Sequence, residues 1–201
     1  STLPNKVRYD LSGEINSAIA MSGVAPYIEP KFLVPATKLE APALFHIMGG
    51  KKALAPQILP KIGYVSGNII DPFFGSGAVP FGVKKSGNLG GNIIAQEAEP
   101  NMLRVYKVAK ETPDELFNRV KSVYDESGGK LDKPKVEQII TRLNAGEGDE
   151  IDKAAWWIIL SRHTERNAIR YNKAGAIVKD VQSISPHFSG KWTKDFETRT
   201  R

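Results

Sequence analysis

The chain has 201 residues, 41% hydrophobic and 25% charged, a balance that predicts one packed globular domain with at most a small appended lobe. No apolar run approaches the length needed to span a bilayer, and no charged segment followed by an apolar core marks a secretory leader, so no membrane association is expected. Cysteine is absent, which excludes disulfides and cysteine-ligated metal and fits a reducing compartment.

The formal charge is +6, and it is unevenly placed. Residues 153–201 hold ten Lys/Arg against four Asp/Glu, while the remaining 18 basic and 18 acidic residues cancel. The excess in the last quarter is either an electrostatic footprint for a phosphate backbone or a solvated, soluble tail.

Residues 1–42 read as an arm. The segment carries Pro4, Pro26, Pro30, Pro35 and Pro42, and only Gly13–Met21 leaves room for a short helix. "GGKKALAPQILPKI" (49–62) turns on two glycines and continues with Leu54, Ile58 and Leu59, a short amphipathic helix interrupted near Pro56. "GYVSGNIID" (63–71) supplies Val65, Ile69 and Ile70 for a buried strand. A glycine turn at Gly75–Gly77 follows, then a helix over 78–85. "GNLGGNIIAQE" (87–97) predicts a second strand ending at Glu97.

The next segment is helical by the spacing of Leu103, Tyr106 and Val108. Thr112-Pro113-Asp114-Glu115 marks a new helix start, with Thr112 as N-cap and Glu115 closing a capping box; that helix runs to about Tyr124. Two further helices are predicted over 133–144 and 149–163. In "RNAIRYNKAGAIVKDV" a turn at Gly175 joins two short extended pieces, and residues 181–201 form a basic, poorly patterned tail. Strand, glycine turn, helix and strand ending in a carboxylate make one βαβ unit. With two clear core strands, the chain reads as part of an α/β domain followed by a helical section.

The stretch "IDPFFGSGAV" (70–79) carries the chemistry. A strand-to-helix turn with small residues, here Gly75, Ser76 and Gly77, presents backbone N–H groups at a helix N-terminus, and Gly75 and Gly77 remove the Cβ atoms that would keep a ligand away. Glu97, at the end of the next strand, is placed to accept hydrogen bonds from ribose hydroxyls. The turn is neither G-x-x-x-x-G-K-[ST] nor G-x-G-x-x-G, since Pro80 occupies the last position of the latter. A purely structural turn is the alternative: Asp71 would cap it, and Phe73 and Phe74 would be core.

Four ordered blocks resemble the Dam-like (D12 class, alpha-order) DNA adenine N6-methyltransferases. "MGGKKALAPQILPKI" is similar to their W-x-G-G-K opening, "IDPFFGSGAVPFG" to [ED]-P-F-x-G-[SAG]-G-x-V, and "IIAQEAEPNMLRVYKVAKETPDEL" to D-x-N-x-x-L-x-x-x-Y with the helix beyond it. "AAWWIILSRHTERNAIRYNKAGAI" aligns with L-N-R-x-x-[FY]-N-G-x-x-R-[YF]-N-x-x-G. The blocks run from about residue 43 to about residue 178.

The resemblance implies an α/β fold with a partial Rossmann-like, S-adenosylmethionine-dependent methyltransferase sheet over 43–125 and a helical target-recognition section over 126–180. It implies an S-adenosylmethionine site. Gly49, Gly50 and Lys51 would meet the methionine end, with Lys51 on its carboxylate, and Asp71 would hold its amino group. Pro72 and Phe73 would line the pocket, Gly75, Ser76 and Gly77 would lie under the nucleoside, and Glu97 would take the ribose. Arg162, Arg166, Arg170, Asn172 and Lys173 are the implied contacts to double-stranded DNA, with Arg170 reading a guanine edge, touching a phosphate or forming a surface ion pair. A cytoplasmic location in a bacterial or phage-infected cell follows from the same resemblance.

The departures bear on function. Ile47 replaces the aromatic of the first block, Glu97 stands where Asp is usual, and Glu99 stands where the family has Asn. Glu165, Arg166 and Asn167 replace the aromatic-Asn-Gly of the fourth block, and a carboxylate beside phosphates is repelled. The D-P-P-Y tetrad that holds and stacks on the flipped adenine occurs nowhere in the 201 residues, so no catalytic or metal-ligating residue is assigned. The expected role is the S-adenosylmethionine-binding and DNA-recognition subunit of a split enzyme, completed by a second protein subunit that brings a D-P-P-Y-like motif. The alternative is a catalytically inactive, methyltransferase-like DNA-binding or structural protein.

Overall fold

The computed structural model describes residues 44–45, 47, 49–164 and 168–179, all within one compact unit, Phe32–Arg201. The whole arm with its expected helix at Gly13–Met21, Arg166 and the basic tail lie outside the described residues. The elements are α1 (Ala55–Ile62), β1 (Ile69–Asp71), α2 (Ala78–Lys85), β2 (Ile93–Ala95), α3 (Pro100–Glu111), α4 (Pro113–Asp125), α5 (Lys133–Asn144) and α6 (Glu150–His163).

β1 and β2 pair in parallel, with Ile69 opposite Ile93, Ile70 opposite Ile94 and Asp71 opposite Ala95. A separate parallel bridge joins Val65 to Leu89. Both strands are shorter than the expected 63–71 and 87–97. Between the bridge and the ladder the two backbones crowd together: a Cβ on Gly91 would lie 2.4 Å from the Gly67 carbonyl oxygen. There the Asn92 N–H donates to the Asn68 side chain at 2.8 Å, so a side chain substitutes for a ladder bond and the regular pairing breaks. Among the described residues the sheet stops at these two strands.

α1 and α2 pack together, and Ala55, Leu59, Ala78 and Val83 form a small core that Ile69 joins from β1 and Val65 and Leu89 join from the bridge. Only one face of the sheet is covered this way. Ile70 and Ile94, paired on the other face, are 64% and 43% exposed. The helix expected to be interrupted near Pro56 instead begins at Ala55 and carries Pro56 in its first turn, where a missing N–H leaves no helical bond unmade.

The larger core is helical. α6 is apolar on every side from Ala154 to Leu160, and all seven of these residues are buried. A helix without a polar face must be surrounded, and α3, α4 and α5 all pack against it. Asp149 and Asp152 form a reciprocal capping box at its start, and Arg119 of α4 pairs with Asp152. At the start of α4 the expected capping box is absent: the Thr112 side chain makes no cap bond, and its hydroxyl donates backward to the Val108 carbonyl at 3.3 Å. The residue sits at the junction of two helices, and the C-terminal carbonyls of α3 compete successfully for it.

An aromatic cluster joins the two cores. The Tyr106 ring lies 5.3 Å from Phe45, 5.0 Å from Phe74 and 5.8 Å from Phe81 between centroids, and Phe45 packs edge-on against Trp157 of α6. Beyond α6, Tyr171 and Ile177 form an antiparallel bridge around a left-handed Gly175 at φ +79°, as the sequence leads one to expect. Among the described residues no helix is long and apolar enough to cross a membrane.

Candidate functional site

The glycine turn begins where β1 ends. Asp71 accepts a hydrogen bond from the Phe73 N–H at 3.0 Å, and the Phe74 N–H donates to the Gln96 carbonyl at 3.0 Å. Gly75 and Gly77 both adopt positive φ, +51° and +65°, a region that side chains with a Cβ rarely enter. Gly77 is the N-cap of α2.

The Gly75 residue is held on both sides. Its N–H donates to Glu97 Oε2 at 2.8 Å, and its carbonyl accepts from the Tyr106 hydroxyl at 2.8 Å. The second oxygen of Glu97 accepts from the Ala98 N–H at 2.8 Å and the Glu99 N–H at 3.2 Å. Burial, and then the Glu97 carboxylate, hold the Tyr106 phenol far above its ordinary value, so it remains a donor at any physiological pH.

The turn and the preceding glycine pair enclose a cleft of about 180 Å³ lined by Ile47, Gly49, Gly50, Lys51, Asp71, Phe73, Phe74, Gly75, Ser76, Ala78, Val79 and Pro80. The exposed Lys51 ammonium donates to the Gly49 carbonyl at 2.8 Å, and Phe73 is 87% exposed at the same cleft. Of the residues expected at a cofactor, Gly49, Gly50, Lys51, Asp71, Phe73, Gly75 and Ser76 come together here, whereas Pro72, Gly77 and Glu97 are not part of the lining. Gly77 is small for another reason: a Cβ there would lie 2.5 Å from Phe81 and 2.7 Å from Phe74. Asp71 lines the cleft and also caps the turn. An ammonium, a carboxylate and an exposed ring on one cleft suit a ligand with a zwitterionic amino-acid end and a flat heterocycle.

Among the described residues, those expected to meet DNA divide into two groups. Arg170, Asn172 and Lys173 share the hairpin around Gly175, and all three are exposed. Asn172 shapes the turn, its side-chain oxygen accepting from the Ala174 and Ala176 N–H groups at 2.9 and 3.0 Å. Arg162, in the last turn of α6, is half-buried and hydrogen-bonds the Tyr124 hydroxyl. His163 beside it is buried, with Nε2 3.3 Å from that hydroxyl. Burial, and then the charge of Arg162, push His163 down to about 4.

Two residues gain roles that the sequence patterns did not assign. Tyr106 holds the glycine turn; the only sign was its place in the third family block. Asn144, the last residue of α5, bonds both backbone groups of Ile177, and nothing in its surrounding pattern marks it.

The profile of the D12 class N6 adenine-specific DNA methyltransferases matches residues 48–193. The chain is also similar to the type II methyltransferase M.MjaIII of Methanocaldococcus jannaschii, with 33% identity over 139 residues, which is 63% of this chain and 47% of that protein. The chain therefore spans about half the length of the curated relative it matches. The matched region contains the hairpin and every cleft residue but Ile47, and with most of the chain inside it, the chain belongs to the D12 class N6 adenine-specific DNA methyltransferase family.

Proposed function

We propose that this chain binds S-adenosylmethionine and duplex DNA as the cofactor-binding and target-recognition part of a site-specific DNA adenine N6-methyltransferase. The observation that carries the reading is the single cleft that joins Gly49–Lys51 to Asp71 and Phe73. Lys51 would face the methionine carboxylate and Asp71 its amino group. Phe73 would pack on the heterocycle, and Glu97 and Tyr106 would hold Gly75 in place beneath it. S-adenosylmethionine supplies an electrophilic methyl group on a sulfonium. The chain's own contribution is to orient that end, so that an in-line attack by adenine N6 needs little further ordering.

A second polypeptide would bring the D-P-P-Y-like tetrad and the strands that widen the sheet into a Rossmann-like one. The support is physical. Parallel sheets are normally covered on both faces, and here the face carrying Ile70 and Ile94 is open. A helix docked there would cover the apolar face, and strands paired at a free edge of the two-stranded ladder would widen the sheet. One observation favours the alternative of an inactive, DNA-binding relative: both oxygens of Glu97 are already engaged in the turn, which leaves less of the carboxylate for a ribose.

The test is calorimetric titration of S-adenosylmethionine into the chain purified with any associated protein, followed by methyl transfer to unmethylated duplex DNA. The reading requires saturable binding that is lost in Lys51→Ala and Asp71→Ala. It also requires transfer that depends on a co-purifying chain with the tetrad. Duplex binding without any cofactor binding would establish the inactive alternative.

A further inference from the structure

We infer that Asn144 is a positioning residue for the basic hairpin, locking its height and tilt on the helical core; the inference rests on the reading of that hairpin as a DNA contact. The hairpin has one bridge, Tyr171 to Ile177, and two-stranded hairpins of this size are marginal by themselves. Something outside it must supply its order. Asn144 Nδ2 donates to the Ile177 carbonyl at 3.0 Å, and the Ile177 N–H donates to Asn144 Oδ1 at 2.8 Å. A side-chain amide here takes the place of a peptide on a neighbouring strand and completes the pairing of Ile177 across 33 residues of chain.

The chemistry selects asparagine. An amide has a donor and an acceptor side by side, as a peptide does; Asp keeps only the acceptor, Ala keeps neither, and Gln adds a methylene that displaces both. The clamp sits at the end of α5, whose Val136, Ile139 and Ile140 are buried in the helical core together with Ile177 itself. At the other strand of the hairpin, the Tyr171 hydroxyl lies 3.5 Å from Asn101 Nδ2 near the start of α3. Arg170 and Lys173 are thereby carried on a hairpin tied to two helices. Recognition groups held within a fraction of an ångström by supporting contacts bind more tightly than the same groups on a free loop.

The experiment uses the full chain as Asn144→Ala and Asn144→Asp. Amide hydrogen exchange is read over 168–179, affinity for a fluorescent duplex by anisotropy, and S-adenosylmethionine affinity by calorimetry. In Asn144→Ala, exchange at Ile177 and Val178 is expected to rise roughly tenfold or more and duplex affinity to fall by roughly tenfold, as for a lost pair of partly buried hydrogen bonds. Cofactor affinity stays within about twofold, because Asn144 does not line the cleft. Asn144→Asp falls between the variant and the parent in both hairpin readouts. Unchanged exchange at Ile177 overturns the clamp. Increased exchange with unchanged duplex affinity overturns the positioning role. Parallel loss of duplex and cofactor affinity also overturns it, because the residue would then act on global stability. A parent protein that binds no duplex overturns the DNA reading of the hairpin, while exchange at Ile177 still confirms or overturns the clamp.

Discussion

The Tyr106 hydroxyl donates to the Gly75 carbonyl at 2.8 Å, linking α3 to the glycine turn across 31 residues. The same ring packs against Phe45, Phe74 and Phe81, so one side chain joins the two cores and holds the floor of the cleft. Tyr106→Phe keeps the ring and removes the bond. Leaving a partly buried carbonyl without its partner destabilises by about 1–2 kcal/mol, and S-adenosylmethionine affinity is expected to fall several-fold. Denaturant titration and calorimetry on the same preparation check both effects.

Two glycines at positive φ make a contrasting pair. Gly77→Ala places a methyl 2.5 Å from Phe81 at φ +65° and combines left-handed strain with overpacking, about 2–4 kcal/mol in all. Gly49→Ala has φ +78° and nothing within 4 Å of the new methyl, so it carries only the backbone strain, about 1 kcal/mol. Gly49 lines the cleft and Gly77 does not. Gly49→Ala should therefore lower cofactor affinity with little loss of stability, and Gly77→Ala should do the reverse in melting temperature.

Acid stability should depend on His163. Its value in the folded chain, about 4, lies below the ordinary 6.5, so between these limits the unfolded chain takes up a proton that the folded chain refuses. The stability tied to His163 is full above about pH 6.5 and is lost as pH falls toward 4, by at most about 3 kcal/mol. His163→Gln removes this component. The difference in unfolding free energy between parent and variant should change between pH 7 and pH 5 in the direction of the parent losing more, and a pH-independent difference would refute it.

Charge on the hairpin should be visible in salt dependence. Lys173 is exposed at its turn, and in Lys173→Ala the slope of log affinity for duplex DNA against log salt should become shallower by about 0.9, uniformly across sequences. Arg170→Ala should instead reduce discrimination between sequences by about 1–3 kcal/mol if the residue reads a base edge, and leave discrimination intact if it meets only phosphate. Anisotropy titrations with two duplexes at several salt concentrations separate these outcomes.

Much of the local structure is readable from the chain. The helices at Ala78–Lys85 and Lys133–Asn144 have the bounds that their flanking glycines, prolines and polar caps dictate. The unbroken apolar run Ala154–Leu160 required a surrounded helix, and α6 is one. The Gly75–Gly77 turn follows the strand and opens the helix as its composition demands. These features are set by neighbours within a few residues: φ freedom, capping groups and the helical repeat.

The features that decide the site are long-range. Nothing near Gly67 or Gly91 announces that their backbones meet and cut both strands short. Nothing near Thr112 shows that its hydroxyl turns back to Val108. Gly77 is recognisable as a glycine turn residue, yet only the positions of Phe74 and Phe81 show that its smallness serves packing.

The βαβ order, most of the helix boundaries and the family were all legible in the chain, because each rests on short-range patterning and on motifs in a set order. Folding was needed to bring Glu97 and Tyr106 onto Gly75 from opposite sides and to pair Asn144 with Ile177. Those bonds span 22, 31 and 33 residues. Their partners are chosen by how the helices pack around α6 and Tyr106, and no local pattern in the chain encodes that choice.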